Sequence, residues 1–163
     1  MLLNHEASVL RALEGVSGIP RIVEHLADRF FEIEYHEGIH VHECPPERLT
    51  REVFGRLVDL VDRMHARRVV HLDLRQRKNI LIDPQGFPVI VDFQSSIYFP
   101  ENGIFSPLFE ICRWVDRSAL IRWKHRYFPA LMTDSDRLFQ RFFMLLRPVW
   151  FVSPFTKRAR DVV

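Results

Sequence analysis

The sequence has few cysteines and no long apolar run, and each shortage excludes a class of protein. Its two cysteines, Cys44 and Cys112, show neither zinc-site spacing nor a pairing pattern. We therefore expect both to be buried thiols of a reduced, cytoplasmic protein. No stretch of about 18 uncharged apolar residues is present, so no membrane-spanning helix is predicted. The chain turns polar at Asn4, unlike a secretory signal.

Lysine is also scarce, and the charge is unevenly distributed. Only three of the 23 basic residues are lysines, and none of them lies in residues 1–77. Residues 1–112 carry 12 basic and 17 acidic side chains, whereas residues 113–163 carry 11 basic and four acidic ones. A basic C-terminal part indicates a phosphate-bearing partner, which charge alone leaves open as a lipid surface, a nucleic acid or a phosphorylated glycan.

Hydrophobic periodicity predicts helices separated by short strands. The expected helices cover residues 4–16, 49–68, 108–126 and 136–146, and the expected early strands lie at residues 22–23 and 30–35. Asn4 is the predicted N-cap of the first helix. With 163 residues and 47% hydrophobic content, the chain is expected to form a single α+β domain with a real core.

The most informative stretch, residues 69–96, reads VVHLDLRQRKNILIDPQGFPVIVDFQSS. Aliphatic runs alternate with a basic loop and a PQG turn, which predicts strand, loop, strand, turn and strand. Asp73, Asn79 and Asp92 fall at the strand ends. Carboxylate and amide oxygens suit Mg²⁺ that carries phosphates, and a remaining aspartate can accept a proton from an attacking hydroxyl. The pattern predicts phosphoryl transfer, and the plain alternative is that these residues cap turns.

The motif HLD, followed by Asn79 and by the pair Asp92-Phe93, resembles the order H-x-D, N, D-F of the protein-kinase-like superfamily. It looks closest to the small bacterial lipopolysaccharide kinases and RIO-like serine kinases. The resemblance implies a kinase-like fold with a curtailed N-lobe and hinge over residues 1–38. A mainly helical C-lobe would then occupy residues 39–163.

The resemblance also implies roles for individual residues. Asp73 would be the catalytic base, Asn79 and Asp92 would hold Mg²⁺, and Asp116 would brace the catalytic loop from a helix. His71 would hold the loop by hydrogen bonds rather than act as a base. The implied cofactors are ATP and Mg²⁺. The implied reaction moves a phosphoryl group to a hydroxyl of a lipopolysaccharide-type sugar or of a protein serine.

The implied nucleotide contacts lie on both sides of that motif. Glu6 would correspond to the helix glutamate that pairs with a strand lysine. Arg75, Arg77 or Lys78 in the lengthened basic loop would contact phosphate in place of the usual strand lysine, and the alternative is a solvated loop. The hinge residues expected to contact adenine are Glu34, Tyr35 and His36.

Three positions depart from the family pattern. Five residues separate Asp73 from Asn79, one more than in the usual kinase loop. Leu72 replaces the arginine that often couples the loop to a phosphorylated segment, which implies no switching of that kind. Gln94 replaces the glycine that follows Asp-Phe.

Two usual kinase parts are missing from the sequence. No glycine-rich phosphate loop precedes Glu6, and no lysine stands where the strand lysine belongs. The chain is therefore expected to be either a truncated copy or a minimal form. Activity stays open between an active phosphotransferase and a catalytically impaired pseudokinase or interaction module.

The C-terminal run RLFQRFFMLLRPVWFVSPFTKRAR mixes aromatic residues with arginines. It predicts a core helix with a basic tail, and the functional alternative is an interfacial segment on an anionic membrane. In that alternative, the side chains that enter the membrane or meet headgroups are Arg147, Trp150, Phe151, Phe155, Lys157, Arg158 and Arg160. The protein would then be cytoplasmic, with peripheral attachment to the inner membrane. No nucleic-acid partner is expected, because no binding motif accompanies the charge.

Overall fold

The computed structural model describes the main chain of residues 2–27, 30–100 and 105–150, and the side chains of residues 5–24, 31–100 and 105–142. Within these ranges the elements are α1 (Leu2–Ala12), β1 (Ile22–Ala27), β2 (Phe30–Ile33), β3 (Ile39–His40), α2 (Arg51–Ala66), β4 (Val69–Val70), β5 (Ile80–Ile82), β6 (Pro88–Ile90), β7 (Ile97–Tyr98), α3 (Ser106–Tyr127) and α4 (Asp134–Trp150). Short 3₁₀ turns lie at Pro46–Arg48, Arg77–Asn79, Phe93–Ser95 and Pro129–Leu131. The α+β character is as expected.

The described strands form three small antiparallel sheets. β1 pairs with β2, β5 lies between β3 and β6, and β4 pairs with β7. The predicted alternation of strands and loops in residues 69–96 is confirmed. Ile80 pairs with Ile90, and the Val91 N–H donates to the carbonyl of Asn79 at 3.0 Å. This register brings Asn79 next to the chain that leads into Asp92.

The predicted amphipathic helix at residues 49–68 is confirmed as α2. Thr50 caps its N-terminus, where the hydroxyl accepts the Val53 N–H at 3.4 Å and so satisfies one of the free donors of the first turn. The buried face consists of the residues with helical spacing in the sequence, namely Val53, Leu57, Leu60, Val61 and Met64. α2 therefore supplies the middle of the core.

The first helix differs from its predicted start. α1 already includes Leu2, so the prediction that Asn4 is the N-cap is wrong. Leucine is a good helix former, and the helix extends over residues that precede the polar position. The last two helices are longer than predicted, since α3 begins at Ser106 and α4 runs from Asp134.

α2 and α3 run antiparallel through the core. Phe54 near the start of α2 lies 5.2 Å from Phe128 after the end of α3, while His65 near the end of α2 lies 6.5 Å from Phe109 near the start of α3. A second apolar cluster beside β4 contains Val70, Phe99, Phe109 and Cys112, and Leu72 packs against it. The loop after β4 is thus enclosed between the two helices and this cluster.

Both cysteines are buried and free, as expected. Burial raises the pKa of the Cys44 and Cys112 thiols, which keeps them protonated and unreactive. In the ranges with described structure, no helix has the length and apolar character needed to cross a membrane.

Gly18 allows the turn before β1 to lie directly on β6 and α2. Its φ is +93°, and a Cβ there would lie 2.8 Å from the carbonyl oxygen of Pro88 and 2.9 Å from a methyl group of Leu60. The carbonyl of Gly18 accepts the Ile90 N–H at 2.9 Å. A side chain at this position would separate the N-terminal segment from the sheet that carries the 69–96 motif.

We predict that Trp123→Phe lowers the free energy of unfolding by about 1–3 kcal/mol. The buried Trp123 Nε1–H donates to the Leu74 carbonyl at 2.9 Å, and phenylalanine leaves that carbonyl without a donor. Urea denaturation measures the change. The matched control is Trp114→Phe, because Trp114 is 44% exposed. Equal losses in the two variants would contradict the assigned hydrogen bond.

Candidate functional site

The loop that follows β4 is held from α3 by one carboxylate. Asp116 is fully buried, and its Oδ2 accepts the His71 N–H at 2.9 Å while its Oδ1 accepts the Leu72 N–H at 2.8 Å. The predicted bracing of the loop by Asp116 is therefore present in the structure. The two bonds fix the main chain immediately before Asp73.

A third donor reaches the same carboxylate from α2. The His65 ring donates Nε2–H to Asp116 Oδ2 at 2.9 Å, and both side chains are buried. A buried carboxylate is costly unless donors surround it, and here two main-chain N–H groups and one ring N–H do so. Asp116 thus joins α2, α3 and the loop at one point.

His71 is a neutral imidazole that orients the loop. Its Nε2 donates to the carbonyl of Val91 at 3.1 Å, and its Nδ1 accepts the Asp73 N–H at 3.3 Å. Because the second nitrogen accepts, the ring carries one proton, on Nε2. Burial lowers the pKa of His71, although the nearby Asp116 partly opposes that effect. His71 holds the loop by hydrogen bonds, as expected.

Two site residues adopt the left-handed backbone region that most side chains avoid. Leu72 has φ +66° and Asp92 has φ +64°, ψ +71°. Such conformations cost on the order of 1–3 kcal/mol each and persist only when surrounding contacts impose them. The bond from Leu72 to Asp116 is one such contact. The strain lies on the two segments that present Asp73 and Asp92.

Asn79 is oriented by Asp73 and keeps one acceptor unused. Its Nδ2 donates to the Asp73 carbonyl at 3.1 Å and to Asp73 Oδ2 at 3.2 Å. Its Oδ1 is buried and has no hydrogen-bond partner among the described residues. Buried acceptors without partners are rare in folded proteins. Asn79 therefore offers a preoriented hard oxygen on an amide that is bonded to the Asp73 carboxylate.

Asp92 and Asp73 face the same space as the basic loop. The Lys78 ammonium lies 3.9 Å from Asp92 Oδ2, and both side chains are partly exposed. Burial raises the pKa of Asp73, with a further rise from Asp92 and opposing effects from His71, Asn79 and Lys78. The structure thus brings together Asp73, Asn79, Asp92 and Lys78 from the predicted set.

Glu6 joins this group from α1. Burial raises the pKa of Glu6, the backbone N–H of Phe93 lowers it, and the charge of Asp92 raises it again. The neighbouring His5 donates Nε2–H to the Ser96 carbonyl at 2.6 Å. α1 therefore fixes the segment that follows Asp92. Glu6 contacts backbone there, and its correspondence to the kinase helix glutamate, for which residues 1–77 hold no lysine partner, remains a prediction.

The predicted hinge residues lie between β2 and β3. The Glu34 carboxylate accepts from Arg21 Nε at 3.0 Å and lies 3.7 Å from His36 Nε2. The Arg21 guanidinium lowers the pKa of Glu34. Tyr35 is 87% exposed, so it offers a free ring at this edge. Their contact with adenine remains a prediction.

The exposed loop before Asn79 is strongly basic. Arg75, Arg77 and Lys78 are all exposed, and no acidic residue lies between Asp73 and Asp83. No group of three or more His, Cys, Asp or Glu side chains in the described part of the chain could hold a metal ion by itself. A cation here would therefore depend on the amide of Asn79 together with Asp92, and the unpartnered Oδ1 fits that use.

Three supporting residues were missed in the sequence. In the sequence, each has an ordinary explanation. His65 lies near a helix end and His5 in the first turn of a helix, where polar residues are common, and Trp123 has the spacing of a core residue. Their partners are 51, 91 and 49 positions away. No local pattern signals contacts over such separations.

Comparison with known proteins gives one informative similarity. No family model matches the chain. The serine/threonine-protein kinase D of Synechocystis is 29% identical over 98 residues, which is 56% of this chain and 19% of that protein. The chain thus matches about a fifth of its relative's length. This similarity indicates a kinase-like relationship.

We predict that Asp73→Asn raises the free energy of unfolding at pH 7 by about 0.5–1 kcal/mol, a small value because solvent screens the half-buried carboxyl. The folded-state pKa of Asp73 lies above its ordinary 3.8. Its stabilising contribution is therefore complete below pH 3.8 and is lost as pH rises through the folded-state pKa. Asparagine avoids this loss.

Urea denaturation between about pH 4 and about pH 8 tests the sign, because the advantage of Asp73→Asn should grow with pH. The matched control is Asp62→Asn on the exposed side of α2. A variant that is less stable than the wild type at neutral pH would refute the interpretation.

Proposed function

We propose that this chain is an ATP- and Mg²⁺-dependent phosphotransferase that moves a phosphoryl group to a hydroxyl. The observation that supports the proposal is the buried Oδ1 of Asn79, which has no hydrogen-bond partner among the described residues and whose amide is bonded to Asp73. An amide oxygen that lacks a hydrogen-bond donor is suited to a hard divalent cation. The kinase-like relationship supports the same reaction class.

In this mechanism Asp73 orients the acceptor hydroxyl and takes its proton. Asn79 holds Asp73 Oδ2, so Oδ1 is the oxygen left for the acceptor. Burial raises the pKa of Asp73, which makes its carboxylate a better base than a solvated one. His71 stays neutral and fixes the Asp73 main chain.

The metal would be held by Asn79 and Asp92. When bound, Mg²⁺ supplies neutralisation of the charge that develops on the transferred phosphoryl group. Asp92 reaches this position because its backbone is left-handed and because α1 fixes the following residues through Ser96. Lys78 and Arg75 would contact the phosphates from the exposed loop. Glu34, Tyr35 and His36 would line the adenine side.

The acceptor in this proposal is a lipopolysaccharide-type sugar or a protein serine, in keeping with the resemblance to small bacterial lipopolysaccharide and RIO-like kinases. The site would act in the cytoplasm, with attachment to the inner membrane through the C-terminal run. The named residues of that run lie outside the described side chains. Transfer of label from γ-labelled ATP to each acceptor, with Asp73→Asn as the blank, distinguishes the two.

We predict that saturating ATP with Mg²⁺ raises the melting temperature. At a ligand concentration about 100 times Kd the gain is about 2.7 kcal/mol, which corresponds to about 5–10 °C for a domain of this size. The shift should require Mg²⁺ and disappear in Asp92→Asn, because that variant loses a metal ligand. Differential scanning fluorimetry measures it.

Asp62→Asn is the control for that experiment, since Asp62 is an exposed aspartate on α2. It should keep the full shift. The absence of any metal-dependent shift in the wild type would sink the enzyme proposal and favour the non-catalytic alternative, a pseudokinase or interaction module.

We predict that Lys78→Met weakens ATP binding about tenfold while AMP binding changes little, because a charge-assisted contact to phosphate contributes about 1.5–3 kcal/mol. The reason is the position of the Lys78 ammonium, 3.9 Å from Asp92 and close to the proposed metal. Calorimetric titration with both nucleotides measures the difference. Arg67→Gln, another exposed cation, serves as control. Equal losses for ATP and AMP would show that Lys78 does not act on the outer phosphates.

A further inference from the structure

The first half of α3 leaves a row of large apolar side chains in solvent. Phe105, Leu108, Ile111 and Trp114 are 49%, 50%, 43% and 44% exposed. We name these four residues the α3 surface. Their spacing of three places successive members next to each other on the helix. A contiguous row of this size differs from the scattered single apolar residues of an ordinary surface.

This row continues a side of α3 that is covered further along. Ser118 and Ile121 follow Ile111 and Trp114 by seven residues, so they lie on the same side of the helix. Both are buried. α4 packs against α3, and Lys124 fixes its start by an ion pair with Asp136 at 2.6 Å. Among the described residues, this side of α3 is thus buried in its second half and exposed in its first half.

The charge around this surface is positive. α3 and α4 together contain eight basic and four acidic residues. Of the acidic ones, Asp116 is buried under its three donors, and the other three are ion-paired, namely Glu110 with Arg113, Asp134 with Arg137 and Asp136 with Lys124. Arg117 and Arg122 are exposed on α3. An apolar row with exposed arginines beside it is complementary to a surface that has an apolar interior and a negatively charged outer layer.

The exposed part of α4 has the same character. Leu138 and Phe142 are 69% and 50% exposed, and Arg137 and Arg141 precede them by one residue each. Leu, Phe and Trp on one side with arginines beside them are typical of helices that lie in the boundary between headgroups and acyl chains.

We propose that the α3 surface docks on an anionic lipid bilayer, with Trp114, Ile111 and Leu108 at the acyl boundary and Arg117 and Arg122 at the headgroups. The attraction comes from burial of the apolar row and from the negative potential of the lipid surface. The surface differs from the C-terminal run considered above. Docking is also independent of phosphotransfer, because none of these residues lies in the Asp73 site.

Sedimentation of the full chain with vesicles tests the proposal. The wild type should bind vesicles of phosphatidylcholine with phosphatidylglycerol, bind pure phosphatidylcholine weakly, and be released as salt rises from about 0.1 M to about 1 M. The affinity of the double variant Ile111→Ser/Trp114→Ser for these vesicles should be lower by a factor of about ten or more. Val23→Ser is the matched control, because Val23 is 66% exposed on β1. Unchanged binding of the double variant would overturn the proposal.

A second measurement does not depend on how the double variant folds. Trp114 is exposed and Trp123 is buried with a bonded indole, so brominated lipid should quench Trp114 selectively. Quenching should fall sharply in Trp114→Phe and persist in Trp150→Phe. Loss of quenching in Trp150→Phe alone would assign docking to the C-terminal run instead and overturn the α3 surface.

Light scattering of the lipid-free chain separates the bilayer from a second copy of the chain. A monomer whose mass is unchanged by Ile111→Ser/Trp114→Ser agrees with docking on lipid. A dimer that this double variant dissociates would show that the α3 surface is a subunit interface, and the proposal would fail.

Discussion

The buried carboxylate of Asp116 is the interaction on which the site depends. It receives donors from α2 through His65 and from the loop through the N–H groups of His71 and Leu72. Each donor offsets part of the free-energy cost of burying this charge. The hydrogen bond to the Leu72 N–H in turn helps to hold the Leu72 backbone in the left-handed region. Helix packing and loop geometry are therefore coupled. A change in the angle between α2 and α3 would move Asp73, because His71 and Leu72 are bonded to Asp116 on α3, which is in turn bonded to His65 on α2.

The other half of the site is fixed from α1. His5 holds the Ser96 carbonyl and Glu6 lies against the Phe93 backbone, so the residues after Asp92 are attached to a different helix from those before Asp73. Between the two halves, several carboxylates lie close together, and nearby cations neutralise their charge only in part. Burial raises the pKa of both Glu6 and Asp73, and the Asp92 charge adds to both effects. Like charges held together in a partly buried space raise the free energy of the folded state.

Local sequence patterns account for part of this structure. The helical spacing of apolar residues predicts α2, and the PQG residues predict the turn between β5 and β6. Asp73, Asn79 and Asp92 also lie together as predicted, because the pairing of Ile80 with Ile90 brings the strand ends together. The contacts that hold the site do not follow from local patterns. His65 and Trp123 acquire their roles from partners about fifty positions away. The sequence also gives no sign of the positive φ of Leu72, since leucine has no preference for the left-handed backbone region. The prediction for Asn4 is wrong because a residue type that often caps helices does not mark the helix start when helix-forming residues precede it.

Leu72, which departs from the kinase motif, contributes packing contacts to the loop. In place of a long cation, the loop carries a side chain that packs on the cluster of Val70, Phe99, Phe109 and Cys112. Phe99 belongs to the segment after Asp92, and its N–H donates to the Arg68 carbonyl at 2.8 Å, next to the β4–β7 pair. Apolar packing and main-chain bonds therefore attach this segment to the loop without a charged partner. Both contacts lie in the core, so they order residues 97–100 next to Asp92.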